Sequence, residues 1–273
     1  GLTDRIYVGD TRAQLWRFDL NPNNTSAADL MTGGVIAKLG GAADVDNRRF
    51  YYPPDISLIA SPGQSPYLAI LTASGYRAHP LNSTIQDRIY MIKDKYVYAP
   101  PTSYMTVTEG GANPATPATQ IIDTTANLIG QGTATQRSTA TAAMSAAQGW
   151  YIRLQESNGA YVGEKGLATP LIVEGQAVVT TYAPIASAAA SACSPSQGQG
   201  YAYFLDISNG TPTIDQNLSG DLTLEDRRKG LLRSGIPPAP GLLITDQGTT
   251  GIIGNEFFSA GSNQAKKTYW YEN

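Results

Sequence analysis

The segment from Asp215 to Asp226, with the sequence DQNLSGDLTLED, has the spacing of a calcium-binding loop. Calcium takes roughly six to eight hard oxygen ligands, and such a loop supplies them from alternate positions around a sharp turn. Gly220 stands at the sixth position, where the chain must turn, and Leu222 at the eighth is expected to point into the core. The predicted ligands are the side chains of Asp215, Asn217, Ser219, Thr223 (directly or through water) and Asp226, with the backbone carbonyl of Asp221.

Two departures from the usual pattern predict a weak site. Ser219 replaces a carboxylate, and Asp226 is shorter than the glutamate that commonly closes such a loop. An affinity of roughly micromolar to millimolar is therefore expected. The alternative interpretation is a polar turn that leads into a short helix capped by Thr223. Both can hold together, because a calcium loop often runs into a helix.

A second fragment of this kind lies at the start of the chain. Gly1-Leu2-Thr3-Asp4 is similar to the back half of an Asp-rich loop, in which Leu2 would offer its carbonyl and Asp4 its carboxylate. The chain begins with Gly1 rather than methionine, so we expect it to begin inside a longer polypeptide.

Other chemistries find little support in the sequence. His79 is the only histidine, and no G-x-S-x-G or phosphate-binding glycine loop is present, so a structural role for His79 is expected. Cys193 is the only cysteine and cannot form an internal disulfide, which leaves a free thiol or a partner outside the chain.

Composition excludes two classes of partner. A net charge of −3 and a pI of about 5.2 argue against nucleic acid. No run of about eighteen apolar residues appears, so no membrane span is predicted.

Short runs of aromatic and branched residues predict a fold built from strands, and helical periodicity is nearly absent. Three pairs of runs form a repeated hairpin unit, which favours a β-propeller over the alternative, a β-sandwich. We expect an all-β fold, a modified or partial propeller whose blades resemble PQQ repeats, with short helical insertions. The predicted strands cover Arg5–Val8, Gln14–Leu20, Tyr67–Thr72, Arg88–Lys93, Leu171–Thr181, Tyr201–Ile207 and Gly241–Thr245.

The predicted organisation is one domain over residues 1–273, truncated at its N-terminal side. An Ala/Thr-rich insertion lies near 114–148, with a helix of one or two turns over Ser138–Gln148 that ends before Gly149. A calcium-loop insertion lies near 213–230. Residues 186–200 are small and polar and predict a loop that carries Cys193.

In combination, several blocks resemble the C-terminal region of the PilC/PilY1 family of type IV pilus tip proteins. They are RIYVGDTRAQLWRFDL (5–20), RRFYYPPDISL (48–58), SGYRAHPLNSTIQDRIYMIKD (74–94), GWYIRL (149–154), GAYVGEKGLATPLIVEGQAVVTTYAP (159–184) and the closing TYWYEN.

The resemblance implies a modified β-propeller at the surface or pilus tip of a Gram-negative bacterium. It implies a role in pilus extension over retraction, twitching and adhesion, with calcium as the bound ion. The loop at 215–226 lies where some relatives have a second calcium loop, and Leu2 and Asp4 match the end of the family's regulatory loop. The partners implied are minor and major pilins, a host-cell or abiotic surface and the upstream part of the same protein.

Three functions follow as hypotheses. The first is a non-enzymatic pilus-tip adhesin and biogenesis factor. The second is a quinone-dependent dehydrogenase on the same blades, which would typically need a vicinal cysteine pair. The third is a dockerin-like module, which would need the calcium loop twice.

Overall fold

The structure is a computed structural model and describes residues 4–21, 26, 30–184, 197–246 and 248–259. Strands dominate the described residues, and the two helices both lie between the eighth and ninth strands. The strands are β1 Arg5–Gly9, β2 Gln14–Leu20, β3 Met31–Lys38, β4 Asp55–Ile59, β5 Tyr67–Ala73, β6 Arg88–Asp94, β7 Thr108–Glu109, β8 Gln120–Asp123, β9 Gly149–Arg153, β10 Lys165–Gly166, β11 Leu171–Val173, β12 Gln176–Ala183, β13 Gln199–Asp206, β14 Arg228–Ser234, β15 Gly241–Thr245, β16 Gly248–Ile253 and β17 Glu256–Ser259. The helices are α1 Leu128–Gln131 and α2 Ala134–Ala146, and 3-10 turns cover Asp44–Asp46, Pro117–Thr119 and Leu224–Arg227.

The strands form four sheets that follow one another along the chain. The first sheet has the order β1-β2-β3, and the second has the order β4-β5-β6-β9-β8-β7. The third has the order β10-β12-β13-β14, with β11 also paired to β12, and the fourth has the order β15-β16-β17. None of these sheets closes into a barrel among the described residues.

The three hairpin units expected from the sequence are present. β1 and β2 pair antiparallel with Ile6 opposite Phe18, and β12 and β13 pair with Val178 opposite Phe204. β5 and β6 also pair antiparallel, as the third unit requires. Each unit belongs to a different sheet. The first unit contains the edge strand β1, whereas both strands of the other two units lie in the interior of their sheets.

One predicted strand is instead a hairpin. Leu171–Thr181 divides into β11 and β12, and the two strands pair directly. The two residues between them, Glu174 and Gly175, have φ angles of 46° and 81°. Two successive positive φ angles define the tight turn that matches the twist of a two-stranded ribbon, so the chain reverses here.

The Ala/Thr-rich segment 114–148 contributes to a sheet as well as forming helices. β8 lies in this segment and pairs parallel with β7 on one side and β9 on the other. α2 begins four residues before the predicted helix, because Thr133 and Gln136 form a reciprocal capping box at its N-terminus. α2 ends at Ala146, and Gly149, with a φ angle of 141°, opens β9.

Three apolar layers join the four sheets. The first layer packs the first sheet against one face of the second, with Leu15 against Ile70 and Tyr90 among its members. The second layer packs the other face of the second sheet, which includes Trp150, against the third sheet. The third layer packs the third sheet against the fourth. Because β5, β6 and β12 are buried on both faces, their sequences read as nearly continuous apolar runs.

A buried ionic cluster also fastens the first sheet to the second. The Arg17 guanidinium pairs with Asp19 at 2.7 Å and with Asp94 on β6 at 2.6 Å. Tyr7 donates its hydroxyl hydrogen to the same Asp94 carboxylate. The Arg17 side chain is fully buried, so removing Arg17 would leave the buried Asp94 carboxylate without its cation. Removing Asp19 or Asp94 would leave the guanidinium without one of its counterions.

Candidate functional site

The front half of the predicted calcium loop folds around two backbone N–H groups. Asp215 accepts hydrogen bonds from the backbone N–H groups of Ser219, at 3.2 Å, and Gly220, at 2.8 Å. Asn217 Oδ1 accepts from the same Ser219 N–H at 3.0 Å, and Ser219 Oγ donates to the Asp221 carbonyl at 3.1 Å. The chain turns at Gly220, whose φ angle is 90°, as predicted. This half therefore gathers four side-chain oxygens and a carbonyl at the surface.

The back half of the loop is closed by Asp226, which lies inside it. Asp226 Oδ1 accepts from the backbone N–H groups of Gln216 and Asn217, at 2.9 and 3.3 Å. Asp226 Oδ2 accepts from the N–H and the hydroxyl group of Thr223, both at 2.7 Å. Burial by itself would raise the pKa of Asp226, but these hydrogen bonds outweigh it and hold the pKa below its ordinary value.

The predicted ligands therefore divide into two groups. Asp215, Asn217, Ser219 and the Asp221 carbonyl lie on the exposed side of the loop and stay the candidate ligands, and water would have to complete roughly six to eight oxygens. Each oxygen of Asp226 already accepts two hydrogen bonds, whereas each oxygen of Asp215 accepts one, so Asp226 would have to exchange donors to bind the ion. Among the described residues, no three His, Cys, Asp or Glu side chains form a metal-binding group. Calcium binding stays a prediction.

Two expectations about neighbouring residues have different outcomes. The prediction that Leu222 points into the core is wrong, because its side chain is 45% exposed. The alternative interpretation of the loop, a polar turn leading into a helix after Thr223, agrees with the 3-10 turn at Leu224–Arg227.

The fragment at the start of the chain is described only in part. Leu2 lies outside the described residues, as does Cys193. Asp4 is exposed, and its backbone carbonyl accepts a hydrogen bond from the N–H of Leu20 at 2.8 Å. His79 is exposed, with its ring 4.7 Å from the ring of Tyr76.

The 3-10 turn that follows the loop anchors it to the segment between β8 and β9. The N–H of Leu224 donates to Gln131 Oε1 at 2.6 Å. The guanidinium of Arg227 donates to the carbonyls of Thr124, at 2.8 Å, and Thr125, at 2.9 Å. These bonds join parts of the chain about a hundred residues apart. They connect the loop, which leads into β14 of the third sheet, to the segment that follows β8 of the second sheet.

A cavity of about 690 Å³ opens beside this anchor. Its walls come from β8, β9, α1, the 3-10 turn at 224–227 and the segment that follows β9. Two ion pairs lie in these walls: Arg153 with Asp123 at 2.9 Å, and Arg228 with Glu156 at 2.8 Å. Nothing in the sequence had indicated this cavity.

The fold is similar to that of a known crystal structure, the C-terminal domain of PilY1 from Pseudomonas aeruginosa. The TM-score is 0.58, the sequence identity is 16%, and the match covers 94% of this chain. The chain has a PilY1-like fold. The match covers 57% of the PilY1 chain, so this chain corresponds to somewhat more than half of that structure.

The comparison confirms the mostly-β, propeller-like fold, which both the repeated hairpin units and the family resemblance had predicted. No protein-family profile matches the sequence, and no curated protein matches it either. None of the helices among the described residues has the length and apolar character needed to cross a membrane.

The residues that sequence reasoning missed are the arginines of the cavity. Arg227 and Arg228 directly follow the predicted calcium loop as an Arg-Arg pair, which is an ordinary surface pattern in a sequence. In the structure Arg227 is 2% exposed, and Arg228 pairs with Glu164 as well as Glu156. The only signal in the sequence was their place next to a loop already singled out.

Proposed function

We propose that this chain belongs to a type IV pilus-associated surface protein without enzymatic activity. In this proposal it supports pilus assembly and extension over retraction at the pilus tip, and it contributes to twitching and surface adhesion. The observation that carries the proposal is the PilY1-like fold over 94% of the chain. The sequence blocks that resemble the PilC/PilY1 family, in the same order along the chain, support it. Its partners would be pilins, a host-cell or abiotic surface and the upstream part of the same protein.

A genetic experiment in the source bacterium tests the pilus role. The segment encoding residues 1–273 is deleted in frame, both in the parent strain and in a strain without the retraction motor, and sheared surface pili are quantified. A protein that favours extension over retraction predicts few pili in the first background and near-parental pili in the second. Unchanged piliation and twitching in both deletion strains would contradict the proposal. A pull-down of minor pilins by the purified chain, with and without calcium, then tests the proposed contact.

Calcium would modulate this function by stiffening the loop at 215–226. The support is the cluster of oxygens from Asp215, Asn217, Ser219 and the Asp221 carbonyl on the exposed side of the loop. An ion that binds only the folded chain stabilises it by about 2.7 kcal/mol at a hundred times its Kd.

Thermal melts with calcium and with a chelator test this step. The chain should melt at a higher temperature with calcium, and Asp215→Ala should lose the difference. Asp221→Ala is the matched control, because it removes an exposed carboxylate and keeps the carbonyl proposed as ligand. Equal midpoints with calcium and chelator in the unsubstituted chain would exclude a functional ion at this loop.

The absence of enzymatic activity is tested with the cofactor of the competing hypothesis. The chain is mixed anaerobically with pyrroloquinoline quinone and passed through a desalting column, and its absorbance spectrum is recorded. We expect the spectrum of the protein alone. A stoichiometric quinone band that stays with the protein would favour the dehydrogenase instead.

A further inference from the structure

Arg227 is a buried cation whose hydrogen-bond partners are all neutral. Its Nη1 donates to the carbonyl of Thr125, and its Nη2 donates to the carbonyl of Thr124 and to Asn127 Oδ1, at 2.8 to 3.3 Å. Its Nε has no hydrogen-bond partner. No carboxylate among the described residues forms an ion pair with it, although a buried charge ordinarily has a charged partner.

The other charges of the cavity are already balanced or lie in water. Arg153 is paired with Asp123, and Arg228 with both Glu156 and Glu164. Glu225, beside Arg227 in the chain, is exposed at the edge of the cavity, where solvent screens its charge. Burial lowers the pKa of Arg227 to about 10, so the guanidinium stays protonated at neutral pH. Arg227 is therefore the arginine of the cavity wall that no carboxylate among the described residues contacts directly, although the charge of nearby Asp123 acts on it at longer range.

Part of the cavity wall is apolar, whereas the groups that contact Arg227 directly are polar. Ile122 on β8, Ile152 on β9, Ile129 on α1 and Ala140 on α2 line the same cavity. Sites for small ligands typically enclose about 300 to 1,000 Å³, with apolar walls and a few polar groups that fix the orientation. The volume of about 690 Å³ lies within this range.

We propose that this cavity binds a small monocarboxylate with an apolar body. The carboxylate would lie against Arg227 and give its guanidinium a direct ion-pair partner, and the apolar body would cover the isoleucine side chains. A phosphate group fits less well, because it carries more charge than the one unpaired guanidinium can neutralise. The same chemistry is offered by the carboxyl end of a peptide and by a free short-chain acid.

Calorimetric titration of the 273-residue chain tests the proposal with four probes. N-acetyl-leucine represents a peptide end, hexanoate represents a free acid, N-acetyl-leucinamide is the neutral counterpart of the first, and inorganic phosphate represents a small anion. We expect at least one of the two carboxylates to bind, and N-acetyl-leucinamide to bind at least tenfold more weakly than N-acetyl-leucine if the latter binds. The acid that binds more tightly indicates whether the ligand is the carboxyl end of a peptide or a free short-chain acid. Binding of neither acid, equal binding of N-acetyl-leucine and its amide, or tighter binding of phosphate would overturn the proposal.

Two variants locate the bound acid. Arg227→Gln should weaken binding at least tenfold, whereas Lys229→Gln, an exposed residue outside the cavity wall, should leave it unchanged. Because Arg227 also anchors the chain, Ala126→Trp provides a second test. Ala126 is exposed at the cavity wall, so a tryptophan there should obstruct the ligand with little effect on the melting temperature. Unchanged binding in Ala126→Trp, or equal binding in the Arg227 and Lys229 variants, would place the acid elsewhere and refute the assignment.

Discussion

Replacing Asp226 with asparagine should destabilise the chain through the loop that this carboxylate closes. The carboxylate accepts four hydrogen bonds, from Gln216, Asn217 and, twice, Thr223. Asparagine keeps one acceptor oxygen and has an N–H₂ group in place of the second oxygen. The two donors that bonded to the second oxygen then face an N–H₂ group, so two of the four hydrogen bonds are lost. Hydrogen bonds to charged groups contribute about 1.5 to 3 kcal/mol each. The side chain has no exposed surface, but the loop alone covers it and can relax, so we expect the lower end, about 3 kcal/mol.

Thermal melts in the presence of a chelator measure this loss without any contribution from calcium. For a chain of this size, about 1 kcal/mol corresponds to about 2 to 4 °C, so the midpoint should fall by roughly 6 to 12 °C. Asp221→Asn is the matched control, since it makes the same chemical change at an exposed position of the same loop, and it should change the midpoint by no more than about 2 °C. Equal midpoints for the Asp226 and Asp221 variants would refute the anchoring role.

The effect should also depend on pH. Because the folded-state pKa of Asp226 lies below its unfolded value, this carboxylate contributes stability that is fully present above the unfolded-state pKa of about 3.9. That contribution is lost as the pH falls through the lower folded-state pKa. The difference between the chain and its Asp226→Asn variant should therefore be constant from about pH 5 to 7 and shrink in stronger acid.

Three further predictions concern the core and are measured by urea unfolding. Gly149→Ala should cost more than about 3 kcal/mol, because its φ angle is 141° and a Cβ there would come within 2.0 Å of the Met91 carbonyl oxygen. Arg17→Met should cost about 3 to 5 kcal/mol, since it leaves the carboxylate of Asp94 buried without its cation. Asp87→Asn should stabilise the chain by about 2 kcal/mol at pH 7 and by little at pH 4. Burial raises the pKa of Asp87 to about 6, so the folded chain loses stability as the pH rises through that value and the carboxyl group ionises.

Each of the three has a comparison that separates the stated cause from general damage. Gly63→Ala places the same methyl group at a positive φ angle with nothing within 4 Å, so it should cost clearly less than the change at Gly149. Arg12→Met removes an exposed guanidinium and should change stability by less than about 0.5 kcal/mol. Asp44→Asn, at an exposed carboxylate, should show no gain at pH 7. Equal effects within a pair would contradict the corresponding reasoning.

Local pairing explains why much of the fold could be predicted from the sequence. β2 and β15 have the predicted bounds, and the β1/β2 hairpin is formed by residues close in the chain. In these segments the pattern of aromatic and branched residues and the turn between the strands point to the same structure. The two-residue turn at Glu174-Gly175 was missed because glutamate rarely adopts a positive φ angle, so the run around it resembled a single strand.

What the sequence could not predict depends on contacts between distant segments. β8 pairs parallel with β7 and β9, and parallel neighbours leave no hairpin signal in a sequence. The exposure of Leu222 and the burial of Arg227 depend on where the second and third sheets meet. The spacing of oxygens in residues 215–226 did not reveal that the closing Asp226 would be surrounded by donors.

The arrangement of the four sheets in chain order also has a kinetic consequence. Each sheet shares an apolar layer with the sheet before or after it, and among the described residues no strand from the first sheet pairs with one from the fourth. Each hairpin joins residues that are close in the chain and can form before the sheets pack against one another. The chain can thus gain native strand pairs progressively as it is synthesised, and the contacts between sheets can follow.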